Sequence, residues 1–143
     1  MFPFSQVNYL RIMKNPFSLG DQQFYSKLVE PADKASFESG EVHAVYATFA
    51  LGRDAEWSCR LFVLEMKEAD EEGIGTYLHV THHSPALLGQ TVNFIATLKE
   101  VNGNEVIATF EAKVGERLAA SGETGQKILK KEKLEKLFNT LNG

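Results

Sequence analysis

Residues 44–67 read AVYATFALGRDAEWSCRLFVLEMK, and their spacing predicts one long, largely buried helix. Positions 45, 48, 49, 52, 55, 56, 59, 62, 63 and 66 recur at three-four intervals, and they hold Val, Thr, Phe, Gly, Ala, Glu, Cys, Phe, Val and Met. That is the stripe of one helix face. Ala50, Leu51, Leu61 and Leu64 carry apolar character onto other faces, which marks a helix enclosed around much of its girth. Asp70, Glu71, Glu72 and Gly73 are expected to end it.

The rest of the chain supplies what encloses it. Asp21 to Glu30 reads as a first strand stopped by Pro31, and Pro31 to Gly40 reads as loop. Beyond the helix the pattern switches to period two. Ile74, Thr76, Leu78, Val80 and His82 share one face of a strand, and Val92, Phe94, Ala96 and Leu98 share another. Asn102-Gly103 is a dipeptide favoured in tight hairpin turns. Val106, Ala108, Phe110, Ala112 and Val114 follow, then a last strand from Arg117 to about Leu129. Leu134, Leu137, Phe138 and Leu141 fit a short C-terminal helix over 130–142. Residues 1–20, interrupted by Pro3 and Pro16, read as an N-terminal extension. Consecutive hairpin-linked strands make an antiparallel sheet, and one long helix has only that sheet to bury itself against. The expectation is a single α+β domain over 1–143, with a curved sheet of about five strands wrapped round a central helix, the hot-dog arrangement.

Composition bounds the function classes. With 143 residues, 43% of them hydrophobic, the chain can build one ordinary core. A formal charge of −4 gives no global attraction to nucleic acid or anionic lipid. No apolar run approaches the roughly 18 residues needed to cross a bilayer. The first basic residues, Arg11 and Lys14, come after the opening aromatics, the wrong order for a secretory signal. A single cysteine excludes an internal disulfide framework and fits a reducing compartment. The chain therefore reads as cytoplasmic, without a nucleic-acid or membrane partner.

Three polar residues interrupt apolar faces. Glu56 on the helix stripe is costly as an ionised carboxylate unless it is paired or borders a cavity; Arg53, Arg60 and Lys67 offer the pairing. Thr48 lies two turns earlier on that stripe, where a buried Thr can also bond a carbonyl of the previous turn. His82 shares parity with Leu78 and Val80, so it should face the helix, either as a core histidine or as a functional one. His79 should face away. His82 and His83, as strand neighbours, should point to opposite sides, so no metal site is expected. Cys59 lacks an adjacent histidine and reads as core. No Gly-x-Ser-x-Gly elbow occurs, and Gly73-Ile74-Gly75-Thr76 is not a nucleotide-binding loop, although its glycines permit close backbone approach.

Val45-Tyr46-Ala47-Thr48 followed by Glu56-Trp57-Ser58-Cys59 resembles the central helix of the fluoroacetyl-CoA thioesterase family. Gly75-Thr76 leading to Val80-Thr81-His82, then Gly89-Gln90-Thr91-Val92, is similar too, and the likeness covers about residues 42–125. The resemblance implies an acyl-CoA thioesterase with Thr48, Glu56 and His82 as catalytic residues. It places Gly75, with Thr76, Val42 and Phe49, at the acyl site. It also implies a homodimer with sites near the subunit interface, and no cofactor beyond coenzyme A carried as part of the substrate. The C-terminal lysines Lys127, Lys130, Lys131, Lys133 and Lys136 read as a solvated face or as contacts to coenzyme A phosphates.

Hydrolysis of a thioester needs a nucleophile, a base and donors for the oxyanion. His82 suits the base, since an imidazole in water titrates at about pH 6.5; Glu56 would orient it or hold a water, and Thr48 would attack or position water. Backbone N–H groups near Gly75 would polarise the carbonyl. Two other classes fit the same residues: a non-catalytic acyl-CoA binding module, and a hydratase or dehydratase that leaves the thioester intact.

Overall fold

The structure, a computed structural model, describes residues 13–37 and 39–143. The expectation for most of the N-terminal extension lies outside the described residues. Chain order is β1 (Gln22–Leu28), a 3-10 turn (Pro31–Asp33), β2 (Lys34–Phe37), β3 (Gly40–Tyr46), α1 (Thr48–Met66), β4 (Glu71–His82), β5 (Thr91–Asn102), β6 (Glu105–Val114), β7 (Arg117–Lys130) and α2 (Lys131–Asn142). The main sheet is antiparallel in the order β1-β5-β6-β7-β4, with α1 packed on its inner face. The α+β architecture of central helix, five-stranded sheet and short terminal helix is the one expected.

Alternation built the core as read. Val92, Phe94, Ala96 and Leu98 on β5, and Val106, Ala108, Phe110 and Ala112 on β6, are all buried. From α1 they meet Ala55, Cys59, Phe62, Val63 and Met66, equally buried. Phe17 closes one end by setting its ring edge-on to Phe62, centroids 4.9 Å apart.

Four local readings are corrected. The helix begins at Thr48, not at Ala44. Residues 40–46 instead form β3, paired with β2 in a separate two-stranded sheet. Their backbone donors are spent there and on loops: Tyr46 N–H reaches Ala86 O and Ala47 N–H reaches Asp33 O, both at 2.8 Å. The loop expected over 31–40 accordingly contains a strand. Glu71 and Glu72 open β4 rather than ending the helix; Arg60 pairs with Glu72, which lets an acidic pair occupy a strand.

The last correction concerns the alternation along β4. Its pairing with β7 slips between Gly75 and Tyr77, so Thr76 is an extra residue that reverses the alternation. Gly73 and Gly75 face the helix before the bulge, and Leu78 and Val80 face it afterwards, as the neighbours of Gly52, Gly73 and Gly75 show. Ile74 and Thr76 therefore do not share the helix-facing side with Leu78, and the Thr76 hydroxyl turns toward Glu105.

Candidate active site

Helix α1 runs antiparallel across β4 in a fixed register. Thr48 meets His82. A methyl on Gly52 would lie 3.0 Å from Leu78, and one on Gly75 would lie 2.9 Å from Oε2 of Glu56. Farther along, Gly73 sits under Val63 and Arg60. Each glycine is where helix and strand approach too closely for a side chain.

At the first end of this register, Thr48 Oγ1 and His82 Nε2 lie 2.9 Å apart, a good hydrogen-bond length. Both residues border a cavity of about 460 Å³ with Ala47, Tyr46, His43 and Pro85 among its walls. Thr48 is the first residue of α1, and Ala47 before it offers no side-chain cap. The leading N–H groups of the helix have no carbonyl partner inside it, so the positive end of the helix dipole adjoins the cavity. Val42, Phe49, Gly75 and Thr76 are not among the residues lining this cavity within one chain; Val42 and Phe49 are exposed.

Glu56 lies at the other end. Eight residues of helix separate it from Thr48 by about 12 Å along the axis, and its carboxylate rests against Gly75 rather than against His82. Within one protomer the three residues thus form a hydroxyl–imidazole pair and a distant carboxylate.

His83 borders the cavity as well, but its ring turns to Ser121, which lines the groove on the outer face of the sheet, so the two imidazoles diverge as strand parity predicts. Its Nε2 lies 2.8 Å from Ser121 Oγ. His79 faces outward as expected, its ring 5.5 Å from that of Tyr77. Among the described residues no cluster of three or more His, Cys, Asp or Glu is arranged to hold a metal. Cys59 is buried and its thiol is pushed up to about 11, chiefly by that burial, which leaves it unreactive at neutral pH.

Sequence reading missed Tyr46 and Asp54. The Tyr46 hydroxyl donates a short hydrogen bond to Asp54, and burial first, then the Asp54 carboxylate, holds that hydroxyl protonated. Arg53 grips both oxygens of Asp54 and also reaches Asp33. Asp54 stands outside the three-four stripe, and only the turn between β3 and α1 brings Tyr46 over it.

A larger groove, about 550 Å³, lies on the outer face of the sheet beside His79, Thr81 and Glu123. It contains neither Thr48 nor His82, and Glu123 is already held by Lys99 at 2.7 Å and Tyr77 at 2.6 Å. Thr48 and His82 border the other cavity, on the helix side of the sheet. Among the described residues no helix is long and apolar enough to cross a membrane.

Comparison with known proteins gives this geometry a context. A Thermus thermophilus protein of the thioesterase superfamily superposes with a TM-score of 0.84 at 36% identity, covering 89% of this chain and 94% of that one. A variant of the fluoroacetyl-CoA-specific thioesterase FlK, solved with fluoroacetate and CoA, gives 0.77 at 26% identity over 82% of this chain and 99% of that one. A hot-dog-like protein from Thermanaerovibrio acidaminovorans shares the fold, with a TM-score of 0.81 at 22% identity, covering 89% and 94% of the two chains. No match was found among curated proteins. The family model for the fluoroacetyl-CoA-specific thioesterase FlK matches residues 29–132, a span that runs from the 3-10 turn through β7 and includes Thr48, Glu56, Gly75 and His82. The chain belongs to the family of the fluoroacetyl-CoA-specific thioesterase FlK.

Proposed function

We propose that the protein hydrolyses an acyl-CoA thioester as a homodimer, each site joining Thr48 and His82 of one protomer to Glu56 of the partner subunit. The observation that carries this reading is the 2.9 Å contact between Thr48 and His82 at the cavity, in a chain of thioesterase ancestry. The dimer is supported by the edge of the sheet. β4 is an end strand of twelve residues, and a long bare edge invites pairing with another chain. Leu78, Phe49 and Trp57 are exposed beside it. A two-fold axis passing near Leu78 and Gly52, the midpoints of the helix–strand register, would set Glu56 of the partner subunit beside Thr48 and His82. Gly75, Thr76, Phe49 and Val42 would then line the acyl site from the interface side.

The chemistry follows from the groups present. His82 Nε2 takes the proton from the Thr48 hydroxyl, or from a water which that hydroxyl holds, as oxygen attacks the thioester carbon. The tetrahedral oxyanion is met by N–H groups at the start of α1 or beside Gly75. Collapse breaks the C–S bond, and the imidazolium returns its proton to the departing thiolate; where Thr48 is the attacking oxygen, a water deprotonated by His82 then cleaves the acyl-Thr48 ester, releasing the acid and restoring the hydroxyl. The carboxylate of Glu56 offsets the charge on the imidazolium. The substrate is the thioester itself, with coenzyme A as its thiol part. The lone buried thiol, Cys59, fits a reducing compartment, and we place the enzyme in the cytoplasm.

Thiol release from short acyl-CoAs tests the reading. Wild type should release free CoA, and His82→Ala should lower kcat by about 100-fold. Binding without thiol release would make the protein an acyl-CoA binding module; hydrated or dehydrated product with its thioester intact would make it a hydratase or dehydratase. An acyl adduct on Thr48 in rapid-quench mass spectrometry would assign the covalent route.

A further inference from the structure

Asp33 and Asp54 are almost fully buried, 2% and 5% exposed, and both sit behind the wall of the cavity. Buried ionic networks are weak sources of stability, since well-packed apolar groups of the same volume often serve as well or better. Besides the ion pair from Asp33 to Lys27 at 3.3 Å and the Glu30 N–H given to Asp33, this network reaches Tyr46 and Ala47, the two residues before Thr48. The Tyr46 hydroxyl is held by Asp54. Asp54 is held by Arg53 through two hydrogen bonds of 3.1 and 3.0 Å, and Arg53 crosses to Asp33 at 3.1 Å. Asp33 closes the circuit by accepting the Ala47 N–H on its own carbonyl at 2.8 Å.

The geometry points to Tyr46 as a positioning residue which, with Asp54, Arg53 and Asp33, fixes Thr48 against His82. The inference rests on the thioesterase reading of that pair. Tyr46 is suited to the task because it is locked at three points. Its ring meets Phe94 edge-on at 6.5 Å, its N–H binds Ala86 O at 2.8 Å, and its hydroxyl is tied into the helix. Ala86 belongs to the loop that follows His82, where His83 and Ser84 both donate to Ala119 O. One residue thus ties the strand before Thr48 to the loop after His82. A displacement of about 1 Å between reacting groups costs up to about 100-fold in rate, so a rigid corner at this place acts on turnover rather than on affinity. Arg53 is the exposed member, with 58% of its side chain accessible, and can be changed without opening the core.

The test uses the full-length protein with Tyr46→Phe, which keeps the ring and removes the hydroxyl, and with Arg53→Gln. Two readouts are taken: nitrogen NMR of the histidine imidazoles without substrate, and kcat and KM on acetyl-CoA. Both variants should move the His82 Nε2 resonance in the direction seen for Thr48→Val. Both should lower kcat about 10-fold at a KM within twofold of wild type. A merely structural role would lower the melting temperature and leave that resonance where it is. The proposal is overturned if both folded variants keep the wild-type His82 resonance, or if Leu98→Ala, a core change elsewhere, moves it as far at equal loss of stability. Should Tyr46→Phe fail to fold, Arg53→Gln decides alone. If wild type releases no thiol from any short acyl-CoA while the resonance still shifts, the hydrolase reading falls and the positioning network stands.

Discussion

Gly75 lies so close to Glu56 that a methyl group added to it would stand 2.9 Å from Oε2 and 3.7 Å from the carboxyl carbon. The glycine is a seat for the carboxylate. Because the obstructing atoms are the free end of a flexible side chain, Gly75→Ala should fold normally and push the carboxylate aside. Its kcat should fall about 10-fold or more, as displaced reacting groups do, while the melting temperature stays within a few degrees of wild type. Steady-state kinetics beside a thermal melt check both halves.

Gly122 makes the opposite case. A methyl there would sit 1.8 Å from the His79 carbonyl oxygen and 2.7 Å from the Phe110 ring, and neither a paired backbone nor a core aromatic can yield. Gly122→Ala should cost at least about 3 kcal/mol, a drop of roughly 10 °C in melting temperature for a chain of this size. Calorimetry on the purified variant reads it directly.

How much of this was legible in the sequence depends on where the cause of each feature lies. Three-four spacing located α1 because its buried side, from Gly52 through Met66, faces a continuous core. Strict alternation located β5 and β6 for the same reason. The β2–β3 hairpin was missed because residues 34–46 alternate poorly and their pairing is irregular. The Thr76 bulge was missed because an extra residue between Gly75 and Tyr77 leaves no compositional mark. Thr48 and His82 were picked out as polar groups on apolar faces. Their meeting depends on the antiparallel register of α1 over β4, which no local pattern encodes. Tyr46 and Asp54 escaped because each looks ordinary in its own segment, and only the β3–α1 turn brings them together.

Asp33 gives the stability a pH dependence. Burial pushes its carboxyl up, but the Glu30 N–H, Arg53 and Lys27 outweigh that and hold it below the usual carboxylate range. A carboxyl lowered in the folded state adds stability above its unfolded pKa, about 3.9, and loses it as pH falls through the folded value. Asp33→Asn should therefore melt below wild type at neutral pH, and the gap should narrow as pH drops beneath about 4. Melting temperatures across an acid series measure this; a constant gap would show that the charge of Asp33 contributes nothing.

The central claim is that Thr48 and His82 receive their carboxylate from across a subunit boundary, and subunit mixing tests it most directly. Thr48→Ala and Glu56→Ala homodimers should each fall about 100-fold in thiol release from an acyl-CoA. Unfolded together and refolded as an equal mixture, half of the dimers would be mixed, each with one intact site, so activity should return to about a quarter of wild type. Mixed dimers detected by native mass spectrometry, with activity no higher than either parent, would contradict it.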